Sequence, residues 1–175
     1  MATTHPSVAA AGLLASLLAA CATPHAIDVP DKLRPAAGES LAMIVPAQGV
    51  QIYTCSAAAA THEWVFVAPQ AELFDTRGKA IGWHGEGPRW QANDGSTVVG
   101  TVQHRADAPV AGTIPWLLLG AKTSGPQGVF SGVSSIQRVN TAGGAAPATD
   151  CGPETAGHRA RVSYTADYYF YRNTP

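Results

Sequence analysis

Apolar and polar residues alternate with a period of two along much of this chain, most clearly near its end. Val162, Tyr164, Ala166, Tyr168 and Phe170 stand between Ser163, Thr165, Asp167, Tyr169 and Tyr171. Successive side chains of a strand point to opposite faces, so the pattern predicts a strand over this segment. Val50, Ile52 and Thr54 alternate with Gln51, Tyr53 and Cys55 in the same way. Residues 97–102 are rich in β-branched side chains, and 136–141 is a further strand candidate. Trp64-Val65-Phe66-Val67 is apolar on both faces and reads as a covered central strand. Ile114-Pro115-Trp116-Leu117-Leu118-Leu119 fits either a buried strand or one or two helical turns with Pro115 in the first position. Turn residues separate these runs: Asp75-Thr76-Arg77-Gly78 and Asn93-Asp94-Gly95-Ser96 tolerate positive φ, and the glycines at 125, 128, 143 and 144 mark longer loops. There is no internal repeat and no long amphipathic helix. The expected fold is all-β: a single antiparallel β-sandwich or barrel with long Gly/Pro-rich loops.

The first residues follow a different rule. Val8 to Ala20 is an apolar run ending in Leu18-Ala19-Ala20-Cys21. It is shorter than the roughly 20 residues needed to span a bilayer core, and small residues follow it, as a signal peptide requires. The ending reads as a bacterial lipobox with Cys21 as the lipidated first residue of the mature protein. Cleavage after Ala22, in the small-x-small pattern Ala20-Cys21-Ala22, is the alternative. The expected organisation is a signal peptide over 1–20, the lipidated cysteine and a Pro/Ala-rich tether over 21–38, and one β domain over 39–175. The expected place is the cell envelope, as an outer-membrane lipoprotein facing the periplasm and held to the membrane by Cys21. A secreted soluble protein is the alternative.

Charge narrows the partners. Eleven Lys and Arg against 12 Asp and Glu leave a formal net charge of −1, and no Lys/Arg cluster offers a phosphate-binding surface, so nucleic acid is not expected. Beyond Cys21 the only cysteines are Cys55 and Cys151. In an oxidising compartment two such thiols usually pair.

The segment 49–171 resembles the domain of unknown function 3455 family, found in secreted or envelope proteins of bacteria and fungi. The resemblance rests on Gly49-Val50-Gln51-Ile52-Tyr53-Thr54-Cys55, Trp64-Val65-Phe66-Val67-Ala68-Pro69 and Gly82-Trp83-His84-Gly85-Glu86-Gly87-Pro88-Arg89-Trp90. It continues through Asp94-Gly95-Ser96, Ile114 to Leu119, Ile136-Gln137-Arg138-Val139, Cys151 and Tyr164-Thr165-Ala166-Asp167-Tyr168. It implies no activity, because the family is uncharacterised.

The segment Trp83 to Trp90 is the densest in groups that carry chemistry. Two indoles, an imidazole, a carboxylate and a guanidinium lie on a Gly-rich loop, which could stack a sugar or another flat face. Trp83, His84, Arg89, Trp90 and Asp94 are therefore the ligand-binding candidates. Alternation from Ile81 places Trp83 and His84 on opposite faces; the expectation is a buried indole and a His84 presented to solvent or ligand. Catalysis, were there any, would centre on His84 with Glu86 or Asp94. A metal held by His84, His104, Asp94 and Glu86 would need residues from separate strands, and no metal or other cofactor is expected. His62-Glu63 lacks the second histidine of a zinc-protease helix, because Phe66 stands in its place. Gly85-Glu86-Gly87-Pro88-Arg89-Trp90 has Trp90 where a dinucleotide-binding turn needs its third glycine. Gln137 and Arg138 fall on opposite faces of one strand, with Asp167 a candidate partner for Arg138. The leading expectation is non-catalytic binding of a small molecule, a glycan or a protein partner near the 84–90 loop. A hydrolase or metal-dependent enzyme and a structural envelope module are the alternatives.

Overall fold

A computed structural model describes Met1 and residues 27–58 and 61–174. The expected signal peptide, lipobox and lipidated Cys21 lie outside the described residues. Eight strands follow one another: β1 (Glu39–Ala58), β2 (Thr61–Phe74), β3 (Ala80–Gly85), β4 (Arg89–Ala92), β5 (Thr97–Ala106), β6 (Trp116–Ser124), β7 (Val133–Gly143) and β8 (Arg159–Asn173). Each pairs antiparallel with the next, and β8 returns to pair with β1. The sheet thus closes in a ring, and closure removes the exposed edges that an open sheet must protect. The ring is uneven. The β1–β8 ladder runs from Glu39↔Asn173 to Thr54↔Arg159, whereas β4 and β5 pair only from Arg89↔Val99 to Gln91↔Thr97.

The segment 114–119 resolves in favour of a strand: β6 begins at Trp116, one residue beyond Pro115. The polar turns fall where their chemistry predicts. Asp75 Oδ1 accepts hydrogen bonds from the Arg77 and Lys79 backbone N–H groups, closing the β2–β3 turn.

In an up-and-down ring, successive connections alternate between the two ends. The β2–β3, β4–β5 and β6–β7 connections share one end, and it is filled. Phe130, fully buried, enters from the β6–β7 loop and packs on Phe170 with ring centroids 4.9 Å apart. Above them lie Leu73, Trp90, Leu119, Ile136 and Tyr168. Trp90 pairs with Val98 on β5, and its indole reaches over Gly100, two residues on, where a Cβ would stand 3.0 Å from the ring.

A second apolar layer lies outside the ring. Val29 and Leu33, from the short 3-10 helix Asp31–Leu33 and its lead-in, pack with Trp116, Leu118, Val139, Tyr169 and Tyr171. Gln137 fastens this strap. It is buried, donates from Nε2 to the Leu33 carbonyl at 2.6 Å and accepts from the Tyr171 hydroxyl at 2.6 Å. The described part of the expected tether, from Ile27 onward, is therefore packed structure. The apolar residues at 27, 29 and 33 cover the outer face of β6 to β8, which would otherwise lie bare.

Candidate functional site

The opposite end of the ring is open, and a cavity of about 390 Å³ occupies it. Its floor is aromatic. The His84 ring stacks on Trp90 with centroids 4.3 Å apart and planes 12° apart, and both meet Tyr168 edge-on, at 5.0 and 5.1 Å. Its rim is apolar, with Phe66, Val67 and Val102 exposed there. Two β-bulges shape this rim. The β1–β2 register passes from Ile52↔Ala68 to Tyr53↔Phe66, so Val67 is an extra residue; the β5–β6 register passes from Val102↔Leu119 to His104↔Leu118, so Gln103 is another. A bulge interrupts alternation, which is why Phe66 and Val67, neighbours in sequence, both line the cavity. The apolar run 64–67 is thus the lip of an opening and not a covered central strand; Val65, Phe66 and Val67 are all exposed.

The polar groups of the cavity come from cross-strand pairing. Arg105 pairs with Leu117, Leu117 with Arg138, and Arg138 with Tyr168. Directly paired residues share a face, so this row from β5 to β8 projects into the ring. The Arg138 guanidinium donates from Nε at 3.1 Å and from Nη2 at 2.8 Å to the Pro115 carbonyl. It lies deep in the protein and is only partly accessible, through the cavity it lines. Burial pushes its pKa down; the Tyr168 and Tyr164 hydroxyls nearby favour its charge, and Arg105 opposes it. Arginine nevertheless stays protonated in proteins. No Asp or Glu lines the cavity, and neither arginine has an ion-pair partner among the described residues, where the recorded pair is Arg34–Asp31 at 3.0 Å. Gln51 adds a buried amide whose Nε2 has no hydrogen-bond partner among the described residues. Tyr53, raised in pKa by burial and partly offset by Arg138, donates its hydroxyl proton to the Gly144 carbonyl at 2.6 Å.

His84 is only 3% exposed. Its Nδ1 lies 2.9 Å from the Arg89 carbonyl. A carbonyl only accepts, so Nδ1 carries the proton and Nε2 is the acceptor. Burial, with a smaller push from Arg138, lowers its pKa to about 3 against the pull of that carbonyl. The imidazole is therefore neutral near pH 7. Of the expectation that His84 is presented to solvent or ligand, the solvent part is corrected: His84 faces in and lines the cavity, Trp83 faces outward at 43% exposure, and Trp90 is the buried indole.

Of the residues singled out from sequence, His84 and Trp90 meet at the cavity. Trp83, Glu86 and Arg89 are exposed, and Arg89 contributes its carbonyl rather than its guanidinium. Asp94 sits at the filled end. It accepts from the Ser96 hydroxyl at 2.6 Å, the Ser96 N–H at 2.8 Å and the Val129 N–H at 2.8 Å, bonds that hold its carboxyl below the usual range and clip the β6–β7 loop to the β4–β5 turn. No carboxylate therefore orients His84, and no group of three His, Cys, Asp or Glu among the described residues could hold a metal ion. Asp167 bonds Asn140 on the outer face, at 2.8 Å, and does not meet the inward-facing Arg138. Cys55 and Cys151 are bonded, with Cα atoms 5.3 Å apart, and staple the β7–β8 connection to β1 beside the open end.

A family model for proteins of unknown function, DUF3455, matches residues 35–172. The chain belongs to this family. The matched span takes in β1 to β7, β8 up to Arg172, the cavity and the disulfide. No curated protein and no solved structure matches the chain.

Proposed function

We propose that this DUF3455 protein is a non-catalytic binding barrel that takes a small, largely apolar molecule into the open end of its ring. The observation that carries the reading is the cavity itself. It is concave, about 390 Å³, floored by Trp90, His84 and Tyr168 and rimmed by Phe66, Val67 and Val102. Small-molecule sites are of this kind: mostly apolar walls with a few placed polar groups, in the mouth of a closed β-sheet. The filled opposite end makes it a cup rather than a channel.

The neutral fluorophore N-phenyl-1-naphthylamine tests the reading. It should brighten on adding protein, with quenching of the tryptophan emission as it settles on Trp90. Val102→Trp, at the exposed rim, should block this with little change in melting temperature. A probe that binds the variant as well as the wild type, or neither, defeats the proposal.

The export signal gives the setting. We infer that the cup is held at the cell envelope by lipid on Cys21. Ala22 after the cysteine, rather than Asp, agrees with the outer membrane. Labelled fatty acid should enter the wild-type protein and not Cys21→Ser; no label in the wild type defeats this part.

A further inference from the structure

We propose that the ligand of this cup is a carboxylate: an apolar molecule whose acid group is read by Arg138 and Arg105. This rests on the cavity being a binding site and specifies its ligand class.

The argument is one of charge. Two guanidinium groups face the cavity, and no acidic side chain lines it. The remaining titratable wall groups do not supply a negative charge near neutrality. Burial raises the pKa of Tyr53 and of Tyr168, and His84 is neutral. A buried cation is costly unless it is paired. Here the protein supplies only neutral partners, the Pro115 carbonyl and the nearby tyrosine hydroxyls. An arginine has five N–H donors; Nε and Nη2 each spend one on Pro115 and another goes to the Tyr168 hydroxyl. The remaining donors can form charge-assisted bonds with an acid group.

Placement agrees with this. Arg138 is held by two hydrogen bonds to the Pro115 carbonyl beside Tyr168 of the aromatic floor, while Arg105, in the same cross-strand row, is the more exposed of the two. Leu117 lies between them in the cross-strand row. An acid entering the mouth first meets Arg105 and then Arg138, and its apolar body lies along Leu117, Phe66 and Val67. Gln51 Nε2, without a partner among the described residues, is a further donor on the wall. A neutral ligand would leave the buried charge uncompensated. A cationic one would add to it.

Displacement of N-phenyl-1-naphthylamine separates this proposal from the one beneath it. Octanoate, octanol and octylamine compete at pH 7. Octanoate should displace the probe at least about tenfold more tightly than octanol, as one charge-assisted pair supplies, and octylamine least well. In Arg105→Gln, whose side chain is exposed, the melting temperature should hold and the octanoate preference should fall several-fold. In Arg138→Gln it should vanish, with octanol affinity kept. Should Arg138→Gln unfold, the wild-type and Arg105→Gln series decide. Binding of the probe with octanoate no better than octanol overturns the carboxylate assignment and leaves the cup standing. An octanoate preference unchanged in Arg105→Gln and in a folded Arg138→Gln also overturns it. Failure of the probe to bind at all removes the underlying site instead.

Discussion

The His84 imidazole lies flat on the Trp90 indole, 4.3 Å between centroids, with its one proton committed to the Arg89 carbonyl. The pair forms the floor of the cup, and it is a neutral floor. Protonating His84 would place a cation between an indole, Tyr168 and the Arg138 charge, with no anion among the cavity walls to receive it.

Stability should therefore fall in mild acid. In the unfolded chain His84 takes up a proton near 6.5, and in the folded chain only near 3. Between these values the unfolded state binds more protons, so the contribution of neutral His84 is full above about pH 6.5 and is lost as pH falls towards 3. The loss is on the order of a few kcal/mol. Denaturant melts at pH 7 and pH 4.5 should show a larger drop for the wild type than for His84→Gln. Equal drops in both would mean that His84 is not the group being titrated.

The two tryptophans flanking the β3–β4 turn should behave in opposite ways. Trp90 is 1% exposed and touches His84, Tyr168 and Phe170. Trp90→Ala should cost about 3 to 5 kcal/mol. Trp83 lies on the outer face over Gly85, and Trp83→Ala should cost less than about 1 kcal/mol. Thermal melts of both variants check the ordering, and a reversed order would refute the inward assignment of Trp90.

Opening the Cys55–Cys151 bond should cost roughly 4 kcal/mol, because it releases a loop with a sequence separation of 96. The damage should centre on the β7–β8 connection. Cys55 also accepts from the Gly157 N–H at 2.8 Å and donates its own N–H to the His158 carbonyl at 2.9 Å. The double Cys→Ser variant should show faster amide exchange at 150–158 and a lower denaturant midpoint. Unchanged exchange there would contradict the stapling role.

The strap should depend on one buried leucine and one glutamine. Leu33 is fully buried against the outer layer, and Leu33→Ala should cost about 2 to 4 kcal/mol. Gln137→Ala leaves the Leu33 carbonyl and the Tyr171 hydroxyl unpaired, which costs roughly 1 to 3 kcal/mol. Both variants should raise amide exchange across residues 29–36 while keeping the strand amides of β1 and β8 protected. Exchange confined to the barrel strands would show that the strap is not the element released.

Local pattern was enough to locate parts of β1, β2, β5, β7 and β8, the polar turns and the pairing of Cys55 with Cys151; it left 114–119 open between strand and helix and read 83–90 as a loop, where β3 and β4 meet in a tight turn. Alternation, turn residues and cysteine arithmetic each act over a few residues or through simple counting, so they survive without knowledge of neighbours. Alternation divides a strand into two faces, but it does not say which face turns inward. That choice belongs to the closed ring, and it sent His84 in and Trp83 out. At 136–139 it covered both faces, Gln137 beneath the strap and Arg138 within the cup. Pairing across four strands set Arg105, Leu117, Arg138 and Tyr168 in one inward row from four separate stretches of sequence. The same geometry parted His84 from Asp94, since successive turns of an up-and-down ring lie at opposite ends. The bulges at Val67 and Gln103 broke alternation where the mouth opens, so the apolar run 64–67 became a rim. Chain chemistry decided what each segment is; ring closure decided what each side chain meets, because contact between distant segments is a property of the closed sheet and of no segment alone.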